Sequence, residues 1–205
     1  MVRTLRPVAL AAACAAALAA CSTVPESATA PSGTVGMQSD FLVYDEQSLV
    51  EDATLVAEGT AIASESTLLM PRLEGDTPEE NPVLDLSEDE KKDAVANASG
   101  VPVTVVTFRV DTVHKGAPSP GEDITIIQTG GVVDGVDYVL ASEIPLEVQQ
   151  RYLLFAGDDV DGAFSILGGS GGTYTDAGDG TYVAASPDMA PFDTLTTAEV
   201  VALTS

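Results

Sequence analysis

One segment of the chain alternates apolar and polar residues more regularly than any other, and it constrains the fold most. In residues 101–113, Val106, Phe108 and Val110 fall on one side of an extended chain. The residues between them, which would face the opposite side, are Thr107, Arg109 and Asp111. This period of two predicts a β-strand with one face in the core.

Further short apolar segments lie between Gly, Pro and Asp-Gly turns, which are typical of strands joined by tight connections. Residues 132–140 predict a hairpin around Asp134-Gly135, and residues 173–184 predict another around Asp179-Gly180. The other predicted strands are 54–63, 123–128, 151–156 and 163–167. Many short strands of this kind predict a mainly β fold, a small antiparallel barrel or sandwich.

Two helices and an insert complete the predicted body, a single β-rich domain over residues 41–205. A short helix is expected in residues 44–52. Thr196 and Glu199 have capping-box spacing, which predicts a short C-terminal helix. Residues 74–100 form a long acidic insert, with one or two helical turns expected from Ser87 to Ala96.

The first twenty residues have the composition of an export signal. Arg3 and Arg6 precede an unbroken apolar run over residues 8–20. That run is shorter than the roughly 20 residues that span a bilayer, and it fits the apolar region of a signal peptide. Residues 1–20 are therefore predicted to be a signal peptide.

The signal ends in Leu18-Ala19-Ala20-Cys21, which resembles the lipobox of bacterial lipoproteins. The resemblance implies cleavage before Cys21, a lipid on its thiol and a fatty acyl chain such as palmitate on its amine. The expected location is extracytoplasmic, with the protein anchored to the cell membrane by lipid. An ordinary signal peptide followed by a chance Cys is the alternative.

Residues 21–40 are rich in Ser, Thr, Pro and Gly and show no periodicity, so they predict a flexible tether behind the lipidated Cys21. The second cysteine, Cys14, lies in the predicted signal. The mature chain would therefore have no pair of thiols for a disulfide, and its fold would rest on core packing.

Three motifs carry a further resemblance. They are VTFRVDTVHKG at residues 106–116, the Thr-Gly-Gly turn at 129–131 and RYLLF at 151–155. Together they resemble a class of uncharacterised exported bacterial β-proteins that are similar to OB-type or netrin-module-like barrels. The resemblance covers roughly residues 55–203 and implies an OB-like barrel. It implies no functional residue.

Charge limits the possible partners. The chain has 32 Asp and Glu residues against 8 Lys and Arg, for a net charge of −24, which excludes a basic surface for nucleic acid. The expected partners are the membrane, through the lipid, and an envelope protein, a peptide or a neutral glycan. No phosphate loop, dinucleotide fingerprint or paired-cysteine motif occurs, so no cofactor is predicted.

Two features of the sequence bear on catalysis, a serine motif and a single histidine. Residues 168–172 match the G-x-S-x-G pattern around Ser170, but β-type residues follow the serine where the hydrolase motif needs a helix. The chain's single histidine, His114, is expected at the end of a strand and partly exposed. One histidine without a cysteine is a poor zinc ligand set.

Calcium is a third possibility, because hard cations prefer oxygen ligands. Asp158, Asp159 and Asp161 crowd one predicted turn, and Asp176 and Asp179 lie in the next hairpin. If the two turns met at one end of the barrel, the five carboxylates could converge on an ion. Asp is also an ordinary turn residue, so solvated turns are the simpler interpretation.

The sequence thus favours a lipid-anchored envelope protein that acts as a non-catalytic binding or structural module. The alternatives are a carboxylate-based envelope hydrolase and a calcium-binding surface protein. No residue could be assigned a catalytic role from the sequence.

Overall fold

The computed structural model of the protein describes residues 30–71, 77, 81 and 83–205. Within that part of the chain the strands are β1 Gly33–Met37, β2 Leu55–Leu69, β3 Val101–Lys115, β4 Asp123–Thr129, β5 Gly131–Val133, β6 Val136–Leu140, β7 Arg151–Asp158, β8 Phe164–Ile166, β9 Thr173–Gly178, β10 Thr181–Ala184 and β11 Thr194–Thr196. The helices are α1 Glu46–Asp52, α2 Glu88–Ala96 and α3 Thr197–Leu203.

Five strands are joined by a ring of pairings in the order β7-β2-β3-β4-β8, with β8 pairing back to β7. All of these pairs are antiparallel except β4 and β8, which run parallel over only two residue pairs. The sheet that contains these five strands continues past β7 through β9, β10 and β11. The result is a mainly β, OB-like barrel that is partly open, as the sequence predicted.

The alternation of side chains on β2 and β7 serves two cores. Leu55 and Ala57 of β2 and Leu154 of β7 point into the barrel, where they pack with Phe108. The neighbouring positions point outward into a second apolar layer. That layer is formed by Leu49, Val56, Leu153, Phe155, Tyr174, Tyr182, Leu195 and Val200, contributed by α1, β2, β7, β9, β10, β11 and α3.

A glycine in β2 lets two strands approach closely. A Cβ placed on Gly59 would lie 2.2 Å from the backbone oxygen of Arg109 and 2.5 Å from the ring of Phe108. The strand is irregular here, with a register shift between Glu58 and Gly59. The Phe108 ring therefore fills the space that any side chain at position 59 would need.

The helix ends follow the sequence signals. Thr196 accepts from the amide of Glu199, and the Glu199 carboxylate accepts from the Thr196 amide at 2.8 Å, so the predicted capping box begins α3. Ser87 and Glu90 form the same arrangement at the start of α2 in the acidic insert. Helix α2 buries none of its residues, which agrees with a solvated insert.

The tether prediction needs a correction. Residues 33–37, assigned from composition to the tether, form β1 and pair in parallel with β6. The Ser32 amide also donates to the Gly135 carbonyl at 2.6 Å. The side chains of β1 are largely exposed, so backbone hydrogen bonds alone hold the strand and no hydrophobic pattern marks it. The ordered body therefore begins before the predicted boundary at residue 41.

The predicted facing of β3 is confirmed, because Val106, Phe108 and Val110 are fully buried while Arg109 and Asp111 are exposed. We expect Phe108→Ala to lower the free energy of unfolding by about 3–5 kcal/mol, since it leaves a cavity against Gly59. The matched control is Thr107→Ala, which should cost under about 1 kcal/mol. Denaturant melts of residues 30–205 measure both. A costly Thr107 variant beside a tolerated Phe108 variant would contradict this core.

Candidate functional site

The most unusual buried group in the described residues is the carboxylate of Glu58. Its neighbour Val56 points into the second layer, and the period of two along β2 turns Glu58 the same way. Glu58 is only 4% exposed. An ionised carboxylate at such a place needs hydrogen bonds to replace the lost water.

Four side chains supply those hydrogen bonds. Oε1 of Glu58 accepts from His114 Nε2 at 3.0 Å and from the hydroxyl of Thr197 at 3.0 Å. Oε2 accepts from the hydroxyl of Tyr182 at 2.6 Å and from Arg151 Nη2 at 3.0 Å. We call these five residues the Glu58 cluster. An ionised carboxylate has about four acceptor sites, so its capacity is used in full.

The hydrogen bonds decide the charge of Glu58. Burial alone would raise its pKa, but the hydrogen bonds from Tyr182, His114 and Thr197 outweigh burial and leave the pKa below its usual value of 4.5. Burial and the neighbouring Glu58 carboxylate also raise the pKa of Tyr182, so its hydroxyl remains a donor. The cluster is therefore built around an ionised carboxylate at neutral pH.

Arg151 links the cluster to the surface. Its Nε lies 3.3 Å from Asp111 Oδ2, and its Nη1 lies 3.8 Å from Asp176 Oδ2. Its side chain is 40% exposed, whereas that of Glu58 is 5% exposed. One arginine thus balances a buried carboxylate and two partly exposed ones.

Glu58 was not among the residues predicted from the sequence. His114 lies at the end of β3 and is partly exposed as a residue, as expected, but its ring is only 3% exposed because it turns inward to Glu58. One signal was present in the sequence. Glu58 is an acid within an apolar strand at a position of the same parity as Val56, which marks a buried face.

A second feature is a cavity of about 190 Å³, where the β5–β6 hairpin packs beside the ends of β3 and β4. We call it the hairpin cavity. Its lining includes Thr104, Gln128, Asp137, Tyr138 and Glu143. It also includes both glycines of the Thr-Gly-Gly turn that the sequence analysis singled out.

Glu143 is the perturbed acid of the hairpin cavity. Burial raises its pKa to about 7, although hydrogen bonds from the Thr129 amide, at 3.0 Å, and from the Gln128 side chain oppose the shift. The carboxyl group of Glu143 therefore gains or loses its proton near neutral pH, whereas that of Glu58 stays ionised there.

The structure separates the predicted calcium ligands. Asp158 ends β7, and Asp159 begins the turn that follows it. Asp176 instead lies beside Arg151 at the start of β7. Seven residues of extended strand span about 23 Å. Asp161 lies in the turn after β7 and Asp179 follows β9, so the five carboxylates do not converge. No group of three or more potential metal ligands occurs among the described residues.

Ser170 is part of the packing of a turn. It is 1% exposed in the 3-10 turn Gly169–Gly172, and its hydroxyl accepts a hydrogen bond from the Ile144 amide. The interpretation of the G-x-S-x-G match as compositional agrees with this placement.

The predicted lipidation site, Cys21, lies outside the described residues. In the part of the chain that the structure describes, no helix has the length and apolar character needed to cross a membrane. No model of a known protein family matches the chain, and a search of curated proteins finds no significant match.

We expect Glu58→Gln to lower the free energy of unfolding at pH 7 by about 2–4 kcal/mol, between the loss of one charged hydrogen bond and the breaking of a buried ion pair. Glu65→Gln is the matched control, because Glu65 is exposed on the same strand, and it should change stability by under about 0.5 kcal/mol.

The pH dependence tests the same interaction. Because the folded-state pKa of Glu58 is lowered, its stabilisation is complete above the usual value of 4.5 and is lost as the pH falls through the lowered pKa. The difference between the wild type and Glu58→Gln should therefore narrow in acid. A difference that is constant from pH 7 down to acid unfolding would show that the ionised carboxylate contributes no stability.

Proposed function

We propose that this protein is a lipid-anchored, non-catalytic binding or structural module of the cell envelope. The anchoring half of the proposal rests on the Leu18–Cys21 motif behind a short apolar run. One acyl chain binds a membrane weakly, whereas two or more hold a protein stably. Lipidation of Cys21 on both thiol and amine would provide such an anchor.

The binding half rests on an exposed apolar surface. Beyond the barrel, β2 and β3 continue as a two-stranded ribbon, in which Leu69 pairs with Val101. Leu68, Leu69, Met70 and Val101, which we call the ribbon end, are 37–49% exposed. Grouped apolar side chains on a surface that is otherwise rich in acids are typical of a contact site for another molecule. This is the single observation that carries the binding proposal.

Charge narrows the partner. Removal of residues 1–20 would remove Arg3 and Arg6 and bring the net charge from −24 to −26. Such a surface repels nucleic acid and anionic lipid headgroups. A protein, a peptide or a neutral glycan of the envelope fits both the charge and the apolar ribbon end.

The chemistry of Glu58 supports a non-catalytic role. A general acid or base must exchange a proton with a substrate at a reachable atom. Both oxygens of Glu58 are instead occupied by donors from the fold itself. The calcium-binding alternative has lost its geometric basis, because the acidic turns lie at opposite ends of β7. For the hydrolase alternative, Glu143 is a buried acid whose pKa lies near neutrality.

Cell fractionation tests the anchor. Wild type should be found in the membrane fraction and should incorporate labelled palmitate. Cys21→Ala should take up no label and either accumulate as the precursor or leave the membrane. Cys14→Ala is the matched control, because this cysteine lies in the predicted signal, and it should behave as wild type. A Cys21→Ala protein that is processed and still membrane-bound would refute lipid anchoring.

Binding at the ribbon end is tested by cross-linking in the envelope of the producing cells. Wild type should be joined to a partner, and Leu69→Ser combined with Val101→Ser should lose most of that product. Thr67→Ser, an exposed substitution on the same ribbon, should retain it. An unchanged cross-linking pattern in the ribbon-end variant would exclude this surface as the contact site.

A further inference from the structure

The hairpin cavity is built by the fold and is independent of the ribbon end. Two glycines with positive φ, Gly130 at 101° and Gly131 at 126°, connect β4 to β5 at its wall. A Cβ on Gly130 would lie 2.6 Å from the Tyr138 carbonyl oxygen, and one on Gly131 would lie 2.4 Å from the hydroxyls of Ser66 and Thr104. The Thr-Gly-Gly turn thus packs the hairpin tightly against the barrel, and the cavity lies beside that contact.

The charged groups of the cavity are of one sign. Among the described residues that line it, Asp137 from β6 and Glu143 from the following loop carry carboxyl groups and Tyr138 carries a phenol, and no Lys or Arg accompanies them. The side chains that β3 and β4 contribute, Thr104, Gln128 and Thr129, do not titrate. Two carboxylates without a counter-ion create a negative potential that attracts a cation and repels an anion.

Glu143 also has acceptor capacity left. The Thr129 amide donates to Glu143 Oε2 at 3.0 Å, which accounts for about one of the four acceptor sites of a carboxylate. This contrasts with Glu58, whose four sites are all used by the fold. Burial has removed water from Glu143 and raised its pKa to about 7, so a bound cation would restore the favourable interactions of the ionised form.

The volume limits the size of a ligand. An engineered cavity of about 150 Å³ holds benzene, and pockets for drug-sized molecules usually exceed about 300 Å³. The hairpin cavity, at about 190 Å³, therefore suits a group of roughly one six-membered ring. Val139, Leu140 and Pro145 are the apolar residues of the lining and can receive the body of such a ligand.

We propose that the hairpin cavity binds a small amine. The ammonium group of the amine lies against Glu143 and Asp137, and its compact apolar body lies against the apolar residues of the lining. Nothing in the anchoring or ribbon-end proposals requires this site, and it can be tested separately. The site is one of binding, and no bond is made or broken in it.

Benzylamine is a suitable probe because it is compact and carries an ammonium group at neutral pH. Benzyl alcohol and benzoate have the same ring without a positive charge. Titration of the protein, followed through its backbone amide NMR signals, should show benzylamine binding at least tenfold more tightly than either. The shifted signals should come from residues 129–131 and 137–143. Equal affinities for the three probes, or shifts elsewhere on the molecule, would overturn the proposal.

Two variants identify the charged partner. Glu143→Gln should weaken benzylamine binding at least tenfold, and Asp137→Asn should weaken it less. Glu147→Gln is the matched control, because Glu147 is exposed in the same loop and does not line the cavity. Wild-type affinity should rise between pH 6 and pH 8 as Glu143 ionises, and this dependence should vanish in Glu143→Gln.

A Glu143→Gln variant that melts like the wild type but binds benzylamine equally well would refute the assignment. If that variant does not fold, the proposal is still tested by the NMR shifts of the wild type and by the pH dependence of its affinity for benzylamine. A flat affinity between pH 6 and pH 8 would then overturn the role of Glu143.

Discussion

One buried carboxylate holds together the two layers of this protein. Glu58 lies on β2 and accepts hydrogen bonds from β3, β7, β10 and α3 through His114, Arg151, Tyr182 and Thr197. Its partners are 56 to 139 residues away in the sequence. Because each bond is directional, the cluster fixes how the β9–β11 layer and α3 sit on the barrel, a choice that apolar packing alone leaves loosely defined.

The acidity of the chain makes such contacts more important, since basic residues are scarce. Outside the acidic insert, each of the three Lys and Arg residues that the structure describes serves the fold. Arg151 joins the Glu58 cluster, Arg109 forms a two-pronged pair with Asp123 at 2.8 and 2.9 Å, and Lys115 donates to the carbonyls of Val50 and Glu51 at the end of α1. With 32 acids in the chain, loss of one of these cations leaves carboxylates uncompensated, and the part of the chain that the structure describes contains no cysteine for a disulfide that could offset the loss.

Local signals in the sequence predicted most of the strands. Asp134 and Asp179 adopt positive φ before glycines, as hairpin turns require, and the alternation in β3 identified its buried face. Strand β1 was missed because backbone hydrogen bonds alone hold it. The Glu58 cluster could not be predicted, because five segments must fold before its members meet. The calcium hypothesis failed for a related reason, since sequence spacing does not tell which end of β7 a turn occupies.

The motifs behind the family resemblance can be explained by packing. In the VTFRVDTVHKG segment, Phe108 covers Gly59 and Lys115 caps α1, while a Cβ on Gly116 would lie 2.7 Å from the carbonyl oxygen of Thr54. In RYLLF, Leu154 enters the barrel and Phe155 the second layer. These motifs therefore specify a barrel and its second layer. The ribbon end lies outside the three motifs, and of the three only the Thr-Gly-Gly turn lines the hairpin cavity.

A double-mutant cycle between Glu58 and Tyr182 tests the central claim most directly. Glu58→Gln, Tyr182→Phe and the double variant are compared with the wild type by denaturant unfolding at pH 7. If the carboxylate ties β10 to β2, the two substitutions should be coupled by about 1–3 kcal/mol, the double variant costing less than the sum of the single ones. Effects that add to within about 0.5 kcal/mol would show that the hydrogen bond between Glu58 and Tyr182 does not tie β10 to β2.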